Sequence, residues 1–177
     1  LPIYSKRAIE EIDASLSGRI PMNPPNIPGN RTLLLLERAR ANYVLGNIEN
    51  CEADLRTLRQ PVDGEVRESY ASSASAVMLG LLLEDRGHTA AAIEIWKQAY
   101  QQSRSLFDGK GRSYDSSLIL ALVLGSLCGE LQDADANEFM RLVTSGDSGG
   151  STISMATSLV TPQSMAEAMR EMWRTPR

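Results

Sequence analysis

With 177 residues, 42% hydrophobic and 23% charged, the chain has the size and apolar content of one ordinary globular domain. A net charge of -4, a pI near 5.1 and only 5% aromatic residues offer neither a positive field for phosphates nor a base-stacking platform, which excludes nucleic acid as a partner. The longest apolar runs, Ala76 to Leu83 and Leu118 to Gly125, fall short of the roughly 20 residues that cross a bilayer, so a soluble protein without membrane insertion is expected, with the cytoplasm as the preferred compartment.

In chain order, Ala8, Ile9, Ile12 and Leu16 share one face of a predicted amphipathic helix over residues 5 to 17, which Gly18 stops. The chain opens at Leu1 with no basic and apolar leader, the pattern of a processed form or of a piece of something longer. Pro21, Pro24, Pro25 and Pro28 then favour extended backbone, and residues 1 to 30 are read as an N-terminal helix with a proline-rich strap. From Thr32 the residues Leu35, Leu36, Ala39, Tyr43 and Val44 recur at helical spacing up to Gly46. Cys51, Leu55 and Leu58 continue on a second helix up to Pro61, which completes a hairpin.

Asp63 is the expected cap of the next helix, through Val66, Tyr70, Ala74, Val77 and Leu81 to Gly87. Thr89 is the expected cap of its partner, which sets Ile93, Trp96 and Tyr100, with Leu106 and Phe107 further on, near one side before the Gly109 to Gly111 turn. A third hairpin is expected from an apolar helix, Leu118 to Leu131, opened by Ser113 or Asp115, and a second helix opened by Asp133 with Ala136, Phe139, Met140 and Val143. Residues 145 to 161, rich in Ser, Thr and Gly, read as a loop. Residues 162 to 177 read as a capping helix started by Thr161 and Pro162, with Met165, Met169, Met172 and Trp173 on one face. No stretch alternates with the period of a strand, so the predicted class is all-α.

The inter-helix glycines Gly46 and Gly87 stand 41 residues apart (87 minus 46), which suggests a repeat. In the second hairpin, Leu79, Gly80 and Leu83, then Gly87, then Ala92, Trp96 and Ala99 resemble a tetratricopeptide repeat, with Gly80 and Ala92 small where the helices touch. The first hairpin keeps half of the signature. The third keeps Leu124 and Gly125 but has no turn glycine where the signature expects one. Gly80 to Gly125 is 45 residues (125 minus 80), longer than the family's usual period of about 34 and similar to its long-repeat form in kinesin light chains; a HEAT-like array has a similar period. The resemblance covers residues 31 to 144 and implies a short right-handed superhelix of stacked hairpins with flanking helices, whose concave face binds peptide segments of a protein partner.

In that register the inner face carries Val77, Met78, Leu81, Glu84 and Asp85 from the second hairpin and Ile119, Leu122, Val123 and Ser126 from the third. These side chains suit an apolar or helical ligand and lack the basic and amide groups of a carboxylate clamp. Contiguous apolar patches of this size are seldom bare, so the helix of residues 5 to 17 or the Met/Trp helix of residues 162 to 173 is expected to lie against the first helices of the second and third hairpins. The alternative is a structural or oligomerisation domain whose groove is filled by its own flanks or by a second copy.

Chemistry-bearing motifs are sparse. Gly146, Asp147, Ser148, Gly149 and Gly150 spell the surroundings of the nucleophile in chymotrypsin-like proteases. That chemistry needs a base histidine, an orienting aspartate and an oxyanion hole, and the one histidine, His88, falls in a hairpin turn. A hydrolase is therefore a remote alternative. Glu130, Asp133, Asp135 and Glu138 lack the glycine-centred loop of a calcium hand and read as a solvated acidic face. Cys51 and Cys128 read as core thiols rather than a bridge or metal pair. No catalytic centre, metal or cofactor is expected.

Overall fold

Glycines at positive φ divide the chain into helices, and each sits where an L-residue would meet steric resistance: Gly18, Gly46, Gly87 and Gly129, at φ of 75, 75, 80 and 73°. The structure is a computed structural model describing residues 2–19, 28–60, 70–104, 116–137 and 161–174. The helices are α1 (Pro2–Leu16), α2 (Pro28–Val44), α3 (Ile48–Leu58), α4 (Tyr70–Asp85), α5 (Thr89–Ser103), α6 (Ser116–Cys128) and α7 (Pro162–Arg174), with a further helical stretch at 133–137. Among the described residues there is no strand; the protein is all-α. None of its described helices is long and apolar enough to cross a membrane.

Three hairpin turns share one hydrogen-bond pattern. Asn47, His88 and Glu130 donate their backbone N–H to the carbonyls of Asn42, Leu83 and Gly125 at 2.8, 2.8 and 3.0 Å. The glycine before each donates to Tyr43, Glu84 and Ser126 at 3.0, 3.0 and 3.2 Å. This paired arrangement satisfies carbonyls that the end of a helix leaves open, and it needs a left-handed residue at the glycine. Gly129 thus makes the same turn after α6, and it ends α6 at Cys128 rather than at Leu131. The turns recur every 41 and 42 residues (87 minus 46; 129 minus 87). Gly80 and Gly125 are not equivalent, being seven and four residues before their turns (87 minus 80; 129 minus 125), so the spacing of 45 is not the period.

The described residues fall into two compact units, one up to residue 60 and one from residue 70 onward. In the first, α1 packs on α2 and α2 on α3. Its core holds Leu35, Leu36, Ala39, Cys51 and Leu55, while Val44 is 46% exposed, at the edge rather than on the buried face. Helix α2 starts at Pro28, earlier than the strap reading allows, because a proline's missing N–H costs nothing in the first turn. Beside the core, Arg38 reaches Asp54 with Nε at 2.9 Å and Nη2 at 2.6 Å, and Asp13 of α1 with Nη1 at 2.5 Å. One guanidinium therefore ties three helices, and the two carboxylates hold its pKa above the usual arginine value. Asp63 and Val66 lie outside the described residues.

In the second unit α4 packs on α5 and α6, α5 on α6, and α7 on α6 and α4. Every residue of α4 from Ala71 to Leu83 is buried, the Ala/Ser-rich first half as well as the apolar second half. His88, not Thr89, occupies the cap position of α5, and it makes no side-chain capping bond. Ile93 is 41% exposed, whereas Trp96 and Tyr100 of the same helix are fully buried. The loop expected over residues 145 to 161 falls almost wholly outside the described residues, as do Ser113, Leu106, Phe107 and Gly109 to Gly111.

Candidate ligand groove

The positions that resemble a tetratricopeptide repeat form the inside of the α4–α5 hairpin. Leu79, Leu83, Ala92, Trp96 and Ala99 are buried. A methyl group at Gly80 would lie 2.0 Å from Trp96 Nε1, so the indole occupies the space that the missing side chain leaves, and its N–H points to the Val77 carbonyl at 3.4 Å. At Gly125 an added Cβ would approach Tyr100 Cε2 to 2.9 Å and Leu131 Cδ1 to 3.0 Å. Each aromatic ring of α5 therefore rests on a glycine of a neighbouring helix, one on α4 and one on α6.

Tyr100 also anchors the third hairpin. Its hydroxyl donates to Asp135 Oδ2 at 2.5 Å and accepts from the backbone N–H of Gln132 at 3.1 Å, and Arg104 Nε reaches the same carboxylate oxygen at 3.2 Å. Asp135 is buried, so it is not part of a solvated acidic face. Burial and the carboxylate push the Tyr100 phenol up to about 12. Gln132, rather than Asp133, accepts the first N–H groups of the 133–137 helix, from Asp135 and Ala136. Glu130 pairs with Lys97 at 2.5 Å; Glu138 lies outside the described residues.

The residues placed on the inner face fall into three groups. Val77, Met78, Leu81, Leu122 and Val123 are buried, Glu84, Ile119 and Ser126 are half-buried, and Asp85 is exposed. Helix α7 lies on the two helices that carry them, α6 and α4. Its start is built by Thr161 and Ser164: the Ser164 N–H donates to Thr161 Oγ1 at 3.1 Å and the Thr161 N–H to Ser164 Oγ at 3.0 Å, a reciprocal cap with Pro162 at the first helical position. Ala166 is 1% exposed, and Met165 and Met169 are half-buried. The side chains of Met172 and Trp173 lie outside the described residues. The covering of the first helices of the second and third hairpins thus falls to the C-terminal flank, whereas α1 packs on α2.

Sequence reasoning missed Arg170. It is one turn beyond Ala166 and donates from Nε and Nη2 to Glu84 Oε2 and Oε1, at 3.2 and 3.1 Å. Its guanidinium carbon lies over the Trp96 ring, 5.5 Å from the centroid, a cation–π contact of about 0.5 to 2 kcal/mol depending on desolvation. The available signal was an arginine at position i+4 from a small residue on an otherwise apolar face.

Other reactive groups are scattered. Cys51 is buried, and burial with Asp54 and Glu52 nearby pushes its thiol up to about 12, leaving it protonated at neutral pH. Cys128 is half-buried, and its thiol points to the Gly125 carbonyl at 3.4 Å. His88 is exposed. Among the described residues no three of His, Cys, Asp and Glu group to hold a metal. Ser148 and its glycines lie outside the described residues. Compared with known proteins, the chain matches no protein-family model, no curated protein and no solved structure.

Proposed function

We propose that the chain is a non-enzymatic helical-repeat module of the tetratricopeptide type, a short right-handed superhelix in which the groove of α4 and α6 receives an amphipathic helix from a protein partner. One observation carries this reading. The first helices of two successive hairpins hold a helix with an apolar face, and that helix is the chain's own α7. A partner helix gains the groove by exchange with α7, so its apparent affinity falls by the fraction of time α7 is seated. Ala166→Asp in the full chain tests this, because a carboxylate at a position 1% exposed unseats the helix. The variant should bind an apolar-surface dye or self-associate while its circular dichroism stays helical. A variant that remains monomeric, binds no dye and melts like the parent would sink the reading.

The burial of Val77, Leu81, Leu122 and Val123 favours a second reading, a structural domain whose groove is permanently filled. A filled groove predicts that no helical peptide exchanges with α7 at any concentration. An oligomerisation domain would in addition show twice the monomer mass in solution, with dissociation on dilution.

A further inference from the structure

We infer that Glu84 and Trp96 form an arginine-selective pocket, which restricts partners of the α4–α6 groove to amphipathic helices with a small residue at i, an apolar residue at i+3 and an arginine at i+4. The inference rests on the reading of that groove as a helix-binding site. Ala166, Met169 and Arg170 of α7 have this spacing. The alanine is the most buried of the three, which brings the helix backbone close to its seat and lets the arginine of the next turn reach inward. Arg170 then engages both oxygens of one carboxylate, at 3.2 and 3.1 Å, and lies over the Trp96 ring. Only a planar, forked cation meets both demands: a lysine ammonium is a point charge that cannot bond two carboxylate oxygens in parallel while standing over an indole ring.

The pocket is built by the receptor rather than by the ligand. Trp96 is held by its fit over Gly80 and by the Val77 carbonyl. The Glu84 side chain is only 17% exposed, so a displacing helix without a cation at i+4 takes both guanidinium bonds from a carboxylate that water reaches poorly. Loss of that pair is a term against such helices, beside the term that favours the matching ones.

The test uses the full chain carrying Ala166→Asp and a fluorescent peptide of residues 161–174, with binding read by anisotropy. The peptide should bind this variant about tenfold or more tightly than it binds the unsubstituted chain, where tethered α7 competes. Arg170→Gln in the peptide should weaken binding about tenfold or more, and Arg170→Lys should recover only part of it. Glu84→Gln in the receptor should shrink the difference between the Arg and Gln peptides to about twofold or less. If the Arg and Gln peptides bind equally to a receptor that keeps Glu84, the arginine pocket is wrong and the groove survives as a purely apolar seat. If the unaltered peptide fails to bind a receptor whose circular dichroism is intact, the helix-binding reading itself fails. A dimer of the unsubstituted chain that the added peptide dissociates would give the groove to a second copy's α7 and overturn the external partner.

Discussion

The hairpins α2–α3 and α4–α5 close through the same glycine turn, yet they solve the problem of helix contact in different ways. Seven residues before its turn, the first has Ala39 and the second Gly80; nine residues after it, the first has Leu55 and the second Trp96 (46 and 87 being the turn glycines). All four positions are buried. The second hairpin thus sets its largest side chain opposite a position with none, whereas the first has two side chains of closer size at the corresponding positions. One position earlier on each helix the chemistry differs as well: Arg38 and Asp54 in the first hairpin correspond to Leu79 and Ile95 in the second. The first hairpin is stitched by a bidentate ion pair where the second has two apolar residues, Leu79 buried and Ile95 half-buried. A shared turn therefore fixes where helices meet, and what fills the meeting place is free to vary as long as volume and polarity match across it.

The largest effect should come from breaking the match at Trp96. Trp96→Ala should destabilise by about 3 to 5 kcal/mol in urea denaturation, from lost burial and the cavity left over Gly80. Gly80→Ala alone should cost about 1 to 3 kcal/mol, because its methyl would sit 2.0 Å from the indole. In a Trp96→Leu background the same Gly80→Ala should reverse sign and stabilise by up to about 1 kcal/mol, since alanine is the better helix former once the ring is gone. That pair copies the first hairpin into the second. A Gly80→Ala cost that is equal in both backgrounds would break the comparison.

The polar stitch gives a somewhat smaller test. Asp54→Ala removes both bonds to Arg38 Nε and Nη2 and should cost about 2 to 3 kcal/mol. Arg38→Leu together with Asp54→Ile copies the second hairpin into the first and should return to within about 1 kcal/mol of the parent, because an apolar pair carries no desolvation penalty. Asp13, with 43% of its side chain exposed, keeps water when Arg38 is gone. A double variant as unstable as Asp54→Ala would show that the guanidinium holds α1 in a way that packing cannot replace.

What was legible in the sequence follows from which signals are local. Turn glycines and helical periodicity lie within a few residues of each other, and they mark the ends of α2 and α4 and the presence of α3 and α5, although α3 ends at Leu58 and α5 is capped at His88. The repeat signature marks Gly80 and Ala92 as small where the helices touch, but that the Trp96 indole rests on Gly80 itself is visible only in the structure. The third turn is hidden in the sequence because Leu124 and Gly125 fit the repeat signature in a register that puts no glycine at the turn. The role of Gly125 is set by Tyr100, 25 residues earlier (125 minus 100), and only the backbone shows that Gly129 makes the turn. Asp135 looked like solvated charge for the same reason, since its partners Tyr100 and Arg104 are more than 30 residues away. Arg170 and Glu84 are 86 residues apart, and no local pattern connects them.

The smallest expected effect is the one that tests whether the three turns are equivalent. At Gly46, Gly87 and Gly129 an added Cβ meets nothing within 4 Å, so alanine there loses no packing and only the backbone conformation resists it. With φ of 75, 80 and 73°, each Gly→Ala should cost about 1 to 2 kcal/mol, and the three costs should agree within about 0.5 kcal/mol because the strain is the same. Asparagine, which tolerates the left-handed region better, should recover part of the loss at every one of the three. Gly125→Ala provides the contrast: its backbone is helical, so its cost comes from the approach to Tyr100 at 2.9 Å and should be relieved by Tyr100→Leu, which none of the turn variants should respond to. Equal costs at the three turns, measured by thermal or urea melts, would make the period of 41 and 42 residues a property of the backbone. A neutral Gly129→Ala beside costly Gly46→Ala and Gly87→Ala would reduce the repeat to two hairpins and leave α6 as a helix packed on the second of them rather than the start of a third.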